Sequence, residues 1–148
     1  MREYKLADLY AGMEESFTAG ITREMEDAFR IITGDLNPLH SDDDFAASVL
    51  EGAKGHAVFG MLTASLLSTL AGMYLPGKYS LIHSVEGLSF LKPVYAGDVL
   101  TVKGTVTEVY TELRMIRLKV SITRGWEESP FGGEETVCKA KMKVLVLK

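Results

Sequence analysis

The sequence predicts an α+β fold in which one antiparallel β-sheet wraps around a long central α-helix. Two observations carry that expectation. From Ala57 to Gly77 no side chain is charged, so a helix formed there belongs inside a core on most of its faces. Beyond that segment apolar residues recur every second position, giving successive strands with one buried and one wet face. Helices gathered ahead of a run of strands place a helix layer on one face of a sheet.

The elements follow in order. Phe17, Ala19 and Ile21 alternate with Ser16, Thr18 and Gly20, which makes an entry strand. Thr22 caps the next helix, with Glu24 and Glu26 in its first turn, where the helix dipole favours anions. Met25, Ala28, Phe29 and Ile32 recur at helical spacing as its buried face, and Gly34 ends it. After the loop Asp35-Leu36-Asn37-Pro38-Leu39-His40, Ser41 starts a short second helix, with Asp44 completing a capping box. Asp42-Asp43-Asp44 reads as dipole and capping chemistry rather than a metal site.

Gly52 to Gly55 make a turn, and the charge-free segment then gives one long helix from about Gly60 to Tyr74, stopped by Pro76-Gly77. A less regular strand spans about Tyr79 to Leu91. Three regular strands follow, carried by Leu100, Val102 and Val106, by Ile116, Leu118, Val120 and Ile122, and by Cys138, Ala140, Met142, Val144 and Val146. Turns fall at Pro93 to Asp98 and within Gly125 to Gly133. The helix needs cover on every side, and a curling sheet is the simplest cover.

The 148 residues, without repeats or a linker, make a single domain spanning 1–148. Hydrophobic residues at 47% and charged residues at 24% exclude a disordered chain. A net charge of −4 argues against a nucleic-acid partner. The one cysteine, Cys138, excludes an intramolecular disulfide and a Cys-rich zinc module, and it falls on an inward strand face. The opening MREYKLADLY has no signal-peptide or lipidation pattern, so the expected compartment is the cytoplasm. Ala57 to Gly77 has the length of a membrane span, but Gly60, Thr63, Ser65, Ser68, Thr69 and Gly72 favour a buried helix, and no membrane partner is expected.

Catalytic groups are few. There is no Gly-x-Ser-x-Gly elbow, Walker loop or Rossmann fingerprint, and His40, His56 and His83 lack metal-ligand spacing. The informative stretch is Thr33-Gly34-Asp35-Leu36-Asn37-Pro38-Leu39-His40. It sets a carboxylate and an imidazole around a Pro-stiffened turn, an arrangement suited to acid–base work, with Asn37 able to brace the turn. The same residues are also good turn chemistry, and from physics alone the structural reading is the more economical one.

The run from Phe29 to His40, followed by Phe45-Ala46-Ala47, resembles the signature of the MaoC-like dehydratases, the (R)-specific enoyl-CoA hydratase or hydratase 2 group. The likeness continues in Gly60-Met61-Leu62 and in Phe90-Leu91-Lys92-Pro93-Val94-Tyr95-Ala96-Gly97-Asp98, the latter run typical of the wider hot-dog superfamily. The resemblance implies a hot-dog fold, an acyl-CoA substrate, and a homodimer or higher homo-oligomer with sheets joined edge to edge. It implies that Asp35 and His40 bind and activate water, and that the backbone N–H of Gly60 holds the thioester oxygen. It further implies that Ser68 is a polar position facing the site, and that Asn37 is a structural amide of the motif. The implied reaction is reversible hydration of a trans-2-enoyl thioester to the (R)-3-hydroxyacyl thioester. It uses no metal or redox cofactor, and CoA is part of the substrate.

One departure stands out. The family often carries His before the Gly-Met of the long helix, where this chain has Phe59, read as a packing substitution. His56 and His83 are read as solvated. The rival functions are a hot-dog thioesterase and a non-catalytic acyl-CoA-binding or accessory subunit. The intact Asp35 and His40 speak against both.

Overall fold

The computed structural model describes residues 1–126 and 133–148. Strands β1 (Glu14–Gly20), β2 (Ser80–Phe90), β3 (Val99–Tyr110), β4 (Met115–Trp126) and β5 (Gly133–Val146) form one sheet in the order β1-β3-β4-β5-β2. All its pairings are antiparallel. Helices α1 (Arg23–Thr33), α2 (Asp43–Val49) and α3 (Gly60–Thr69) come between β1 and β2. The turn expected within Gly125 to Gly133 lies largely outside the described residues.

Alternation works as expected on the three regular strands. Val102 faces Ile122 and Val106 faces Leu118 across β3 and β4, while Leu118 faces Met142 and Ile116 faces Val144 across β4 and β5. All are buried against α3 and the turn after it. Irregularity in β2 is real: its register with β5 shifts between Ile82 and Ser84 and again between Glu86 and Ser89.

The central helix is not one uniform α-helix to Tyr74. It changes to a π-type turn over Leu70–Tyr74. Pro76 has no N–H to continue the ladder, and the wider turn lets Leu75 N–H reach the Leu70 carbonyl and Gly77 N–H reach that of Ala71, both at 2.8 Å. Within this turn Leu70 is fully buried over Gly104 of β3. A Cβ on Gly104 would stand 2.8 Å from Leu70 Cδ2, so the close approach of helix to sheet depends on that glycine.

Cover is also incomplete. Met61, Ser65, Ser68 and Met73 leave a stripe of the central helix exposed, because the sheet curls past only part of its circumference. β1 and β2 are the two edge strands of the sheet, and on β2 Leu81, Ile82 and Val85 are exposed.

Helix α1 begins and ends as its caps require: Thr22 accepts from Met25 N–H, and Gly34 adopts the left-handed conformation at φ 70°. Its buried edge is narrower than the sequence pattern. Met25 and Phe29 pack inward, Ala28 and Ile32 are exposed, and Glu26 is buried. α1 meets the loop before α3 through Phe29 on Phe59 and Glu26 beside His56, so only one thin edge finds support. In α2 the cap is Asp42, accepting from Phe45 N–H at 2.9 Å, rather than Ser41, and Asp44 closes no capping box. Ser41 instead closes the 3₁₀ turn Pro38–His40, its N–H donating to the Pro38 carbonyl at 3.1 Å.

Candidate active site

The loop after α1 is braced by its own side chains. Asp35 Oδ1 accepts from Asn37 N–H, and Asn37 Oδ1 accepts from Leu39 N–H, each at 3.0 Å. These are successive Asx turns, and the second one starts the 3₁₀ turn that delivers His40. Asn37 thus has a structural role.

His40 is held from three directions. Its Nδ1 lies 2.6 Å from the Ala57 carbonyl oxygen, its own carbonyl accepts from the Arg30 guanidinium at 3.2 Å, and its ring packs on Phe59 with centroids 4.2 Å apart. A carbonyl only accepts, so Nδ1 carries the proton and Nε2 of the neutral ring is left with a free lone pair.

A cavity of about 310 Å³ opens beside this ring. Its walls include His40, Gly60, Thr63, Phe90, Leu91 and Val137. Gly60 is the first residue of α3, so its N–H has no acceptor within the helix, and the helix dipole adds to its pull on an anion. The Phe90 ring lies against it; a Cβ on Gly60 would stand 3.3 Å from Phe90 Cε1.

The structure therefore brings His40 and Gly60 to one cavity. Asp35 stands on the exposed loop, off the cavity wall, and among the described residues no hydrogen bond joins its carboxylate to His40. Ser68 is also off the wall, on the exposed stripe of α3. Thr63 is the polar wall residue that sequence reasoning passed over, buried with its hydroxyl unpartnered. Its place one helical turn after Gly60 was the available signal. Phe59 is buried between His40 and Phe29, the packing role expected of it.

His56 is not solvated. Its ring is 9% exposed, with Nδ1 2.6 Å from Asp43 Oδ1 and Nε2 3.7 Å from Glu26 Oε1. Burial raises the pKa of Glu26, with His56, Arg23 and Arg30 acting in the other direction. Hydrogen bonds from the backbone and side chain of His56 lower that of Asp43. Cys138 is buried in the core, and burial raises its thiol pKa. His83 is exposed on β2, as expected.

Residues 11–124 match the model of the MaoC like domain. The chain belongs to the MaoC-like family. It is 34% identical to a 3-hydroxybutyryl-CoA dehydratase of Methylorubrum extorquens over 137 residues, 93% of this chain and 85% of that one. It is 46% identical to an (R)-specific enoyl-CoA hydratase of Aeromonas caviae over 80 residues, 54% of this chain and 58% of the relative. Among solved structures, the (R)-hydratase from A. caviae involved in PHA biosynthesis superposes with a TM-score of 0.79 at 30% identity, covering 93% of this chain and 97% of the other. The architecture of this MaoC-like chain is the hot-dog fold, with the sheet curled round the central helix. Among the described residues no helix is long and apolar enough to cross a membrane.

Proposed function

We propose that this MaoC-like protein is an (R)-specific enoyl-CoA hydratase, adding water reversibly to trans-2-enoyl-CoA. The observation that carries the reading is the Nδ1-anchored His40 beside a cavity that also holds the N-terminus of α3. The free Nε2 lone pair takes a proton from water as its oxygen attacks C3. Negative charge moves to the thioester oxygen, which the Gly60 N–H meets with a hydrogen bond and the helix dipole. The proton is then returned to C2 on the same face, completing hydration without a metal or redox cofactor. The resemblance gives Asp35 a share in binding that water, which from the exposed loop where its Oδ1 accepts Asn37 N–H requires its carboxylate to turn toward the cavity. The names of the M. extorquens and A. caviae relatives describe this reaction in its two directions and support the reading.

The working unit in this proposal is a homodimer. The open edge of β2, with exposed Leu81, Ile82 and Val85, offers a second copy both unpaired backbone groups and apolar side chains. Ser68 stands on the stripe of α3 that such a partner covers, so it meets substrate only in the assembled pair. A soluble thioester substrate and a reduced, buried Cys138 suit the cytoplasm.

The test is the ultraviolet absorbance of crotonyl-CoA mixed with the purified protein, with a thiol reagent in a parallel cuvette. Loss of the conjugated enoyl signal with no free thiol is expected. Release of CoA thiol would replace the proposal with a thioesterase, and no change in either cuvette would point to an accessory subunit.

A further inference from the structure

We propose that His56 is a positioning residue for the active-site imidazole: clamped between Asp43 and the buried Glu26, it fixes the Ala57 carbonyl that orients His40. The proposal builds on the hydratase reading, which gives His40 its work.

The loop between α2 and α3 has no regular structure of its own, so its course depends on a few anchors. One oxygen of Asp43 accepts both the His56 backbone N–H at 2.8 Å and His56 Nδ1 at 2.6 Å. The approach is close enough that a Cβ on the preceding Gly55 would stand 3.3 Å from that oxygen. On the other side of the ring, Nε2 faces Glu26 of α1 at 3.7 Å. Glu26 is 2% exposed, and neither of its carboxylate oxygens has a hydrogen-bond partner among the described residues. A buried carboxylate in that state is costly unless a complementary group faces it, and the His56 ring is the group that does. The remaining charges that act on the pair are Arg23, Asp27 and Arg30 of α1.

The next residue along the chain is Ala57. Its N–H donates to the Leu39 carbonyl at 3.0 Å, and its carbonyl accepts from His40 Nδ1 at 2.6 Å. The clamp and the acceptor of the catalytic imidazole therefore sit on adjacent residues of one loop, which Val58 N–H ties on the far side to the Val94 carbonyl at 2.8 Å. Without the ring, Glu26 draws water into the space behind the loop, the Ala57 carbonyl loses its fixed place, and His40 loses the partner that selects its tautomer. His56 itself does not line the cavity, so substrate binding is spared.

The experiment uses the full chain as wild type, His56→Ala, His56→Gln and the double variant Glu26→Gln/His56→Gln. Steady-state rates with crotonyl-CoA are combined with ¹⁵N-histidine NMR of the hydrogen-bonded His40 Nδ1–H. For His56→Ala the expected result is a fall in kcat of about 10–100-fold with little change in KM, the scale for losing a partner that orients a working histidine. Its Nδ1–H signal should be lost to exchange. The double variant, which replaces the clamp with two neutral amides, should recover most of the loss and the signal, and it keeps the test open should His56→Ala fold poorly. An unchanged kcat and a retained signal in His56→Ala would overturn the proposal. So would a double variant as impaired as the single ones. Because the NMR signal is read without substrate, a wild type inactive on enoyl-CoA would defeat the hydratase reading while the positioning claim is still decided.

Discussion

The Nδ1 of His40 is seated 2.6 Å from the carbonyl oxygen of Ala57, seventeen residues further along the chain. That single bond fixes which ring nitrogen is available for chemistry, and it ties the loop after α1 to the loop before α3.

Gly60 is where the cavity meets the helix terminus. In Gly60→Ala the added methyl comes 3.3 Å from the Phe90 ring and stands beside the N–H proposed to hold the thioester oxygen. The chain should fold, since the ring is half exposed and can give way. Activity should fall towards the loss of about 10²–10³-fold seen when an oxyanion donor is removed. Crotonyl-CoA kinetics with circular dichroism as the folding control measure it, and wild-type turnover in Gly60→Ala would remove Gly60 from the site.

The two carboxylates flanking His56 should titrate stability in opposite directions. Burial raises Glu26 above its ordinary 4.5, so the folded state holds that proton more tightly, and stability is lost as pH rises above the ordinary value. Asp43 is lowered from its ordinary 3.8, so its contribution is present above that value and disappears as pH falls through the folded one. Thermal melts should show Glu26→Gln gaining stability relative to wild type at neutral pH compared with acid. Asp43→Asn should lose stability at neutral pH and approach wild type in acid.

Gly104 and Leu70 test the packing of the central helix. Gly104→Ala sets a Cβ 2.8 Å from Leu70 Cδ2, and overpacking of this kind costs about 1–3 kcal/mol. Leu70→Ala alone costs about 2–5 kcal/mol by leaving a cavity. The double variant should lose less than the sum, because the smaller side chain makes room for the new methyl. Urea denaturation curves of the four proteins give the answer, and strict additivity would mean that the two residues do not share that space.

Val85 lies exposed on the edge strand β2. Val85→Lys should convert the proposed dimer to a monomer in sedimentation velocity, since a charge on an edge strand opposes pairing with another copy. A wild type that already sediments as a monomer would reject the edge-to-edge dimer.

The fold was legible because period and burial agree on the long elements. Alternation in β3, β4 and β5 marks the inner face, and the missing charge between Ala57 and Gly77 marks the central helix. What the pattern could not carry were long-range pairings. Glu26 sits at an ordinary helix-dipole position, and nothing local shows that His56, thirty residues away, arrives beside it. Ser41 and Asp42 are equally good caps by type, and only the 3₁₀ turn at Pro38 to His40 decides between them. The exposed stripe of α3 was unreadable for a related reason: an apolar helix looks the same in sequence whether its last face is covered by its own sheet or left open.

At the site, the Asp35-to-His40 motif located the loop and the resemblance supplied its chemistry. Thr63 was missed because a threonine in an apolar helix carries no local mark of a cavity, and Phe90 was read as the start of a motif run rather than as a wall.

The proposed role of His40, moving the proton in hydration of an enoyl thioester, is tested by comparing wild type with His40→Gln on crotonyl-CoA. An (R)-specific 3-hydroxyacyl dehydrogenase traps the product. Wild type should give (R)-3-hydroxybutyryl-CoA, and the folded variant should turn over about 10²–10⁴-fold more slowly, the worth of a general acid–base group. Equal turnover by the two proteins, or (S) product from wild type, would contradict it.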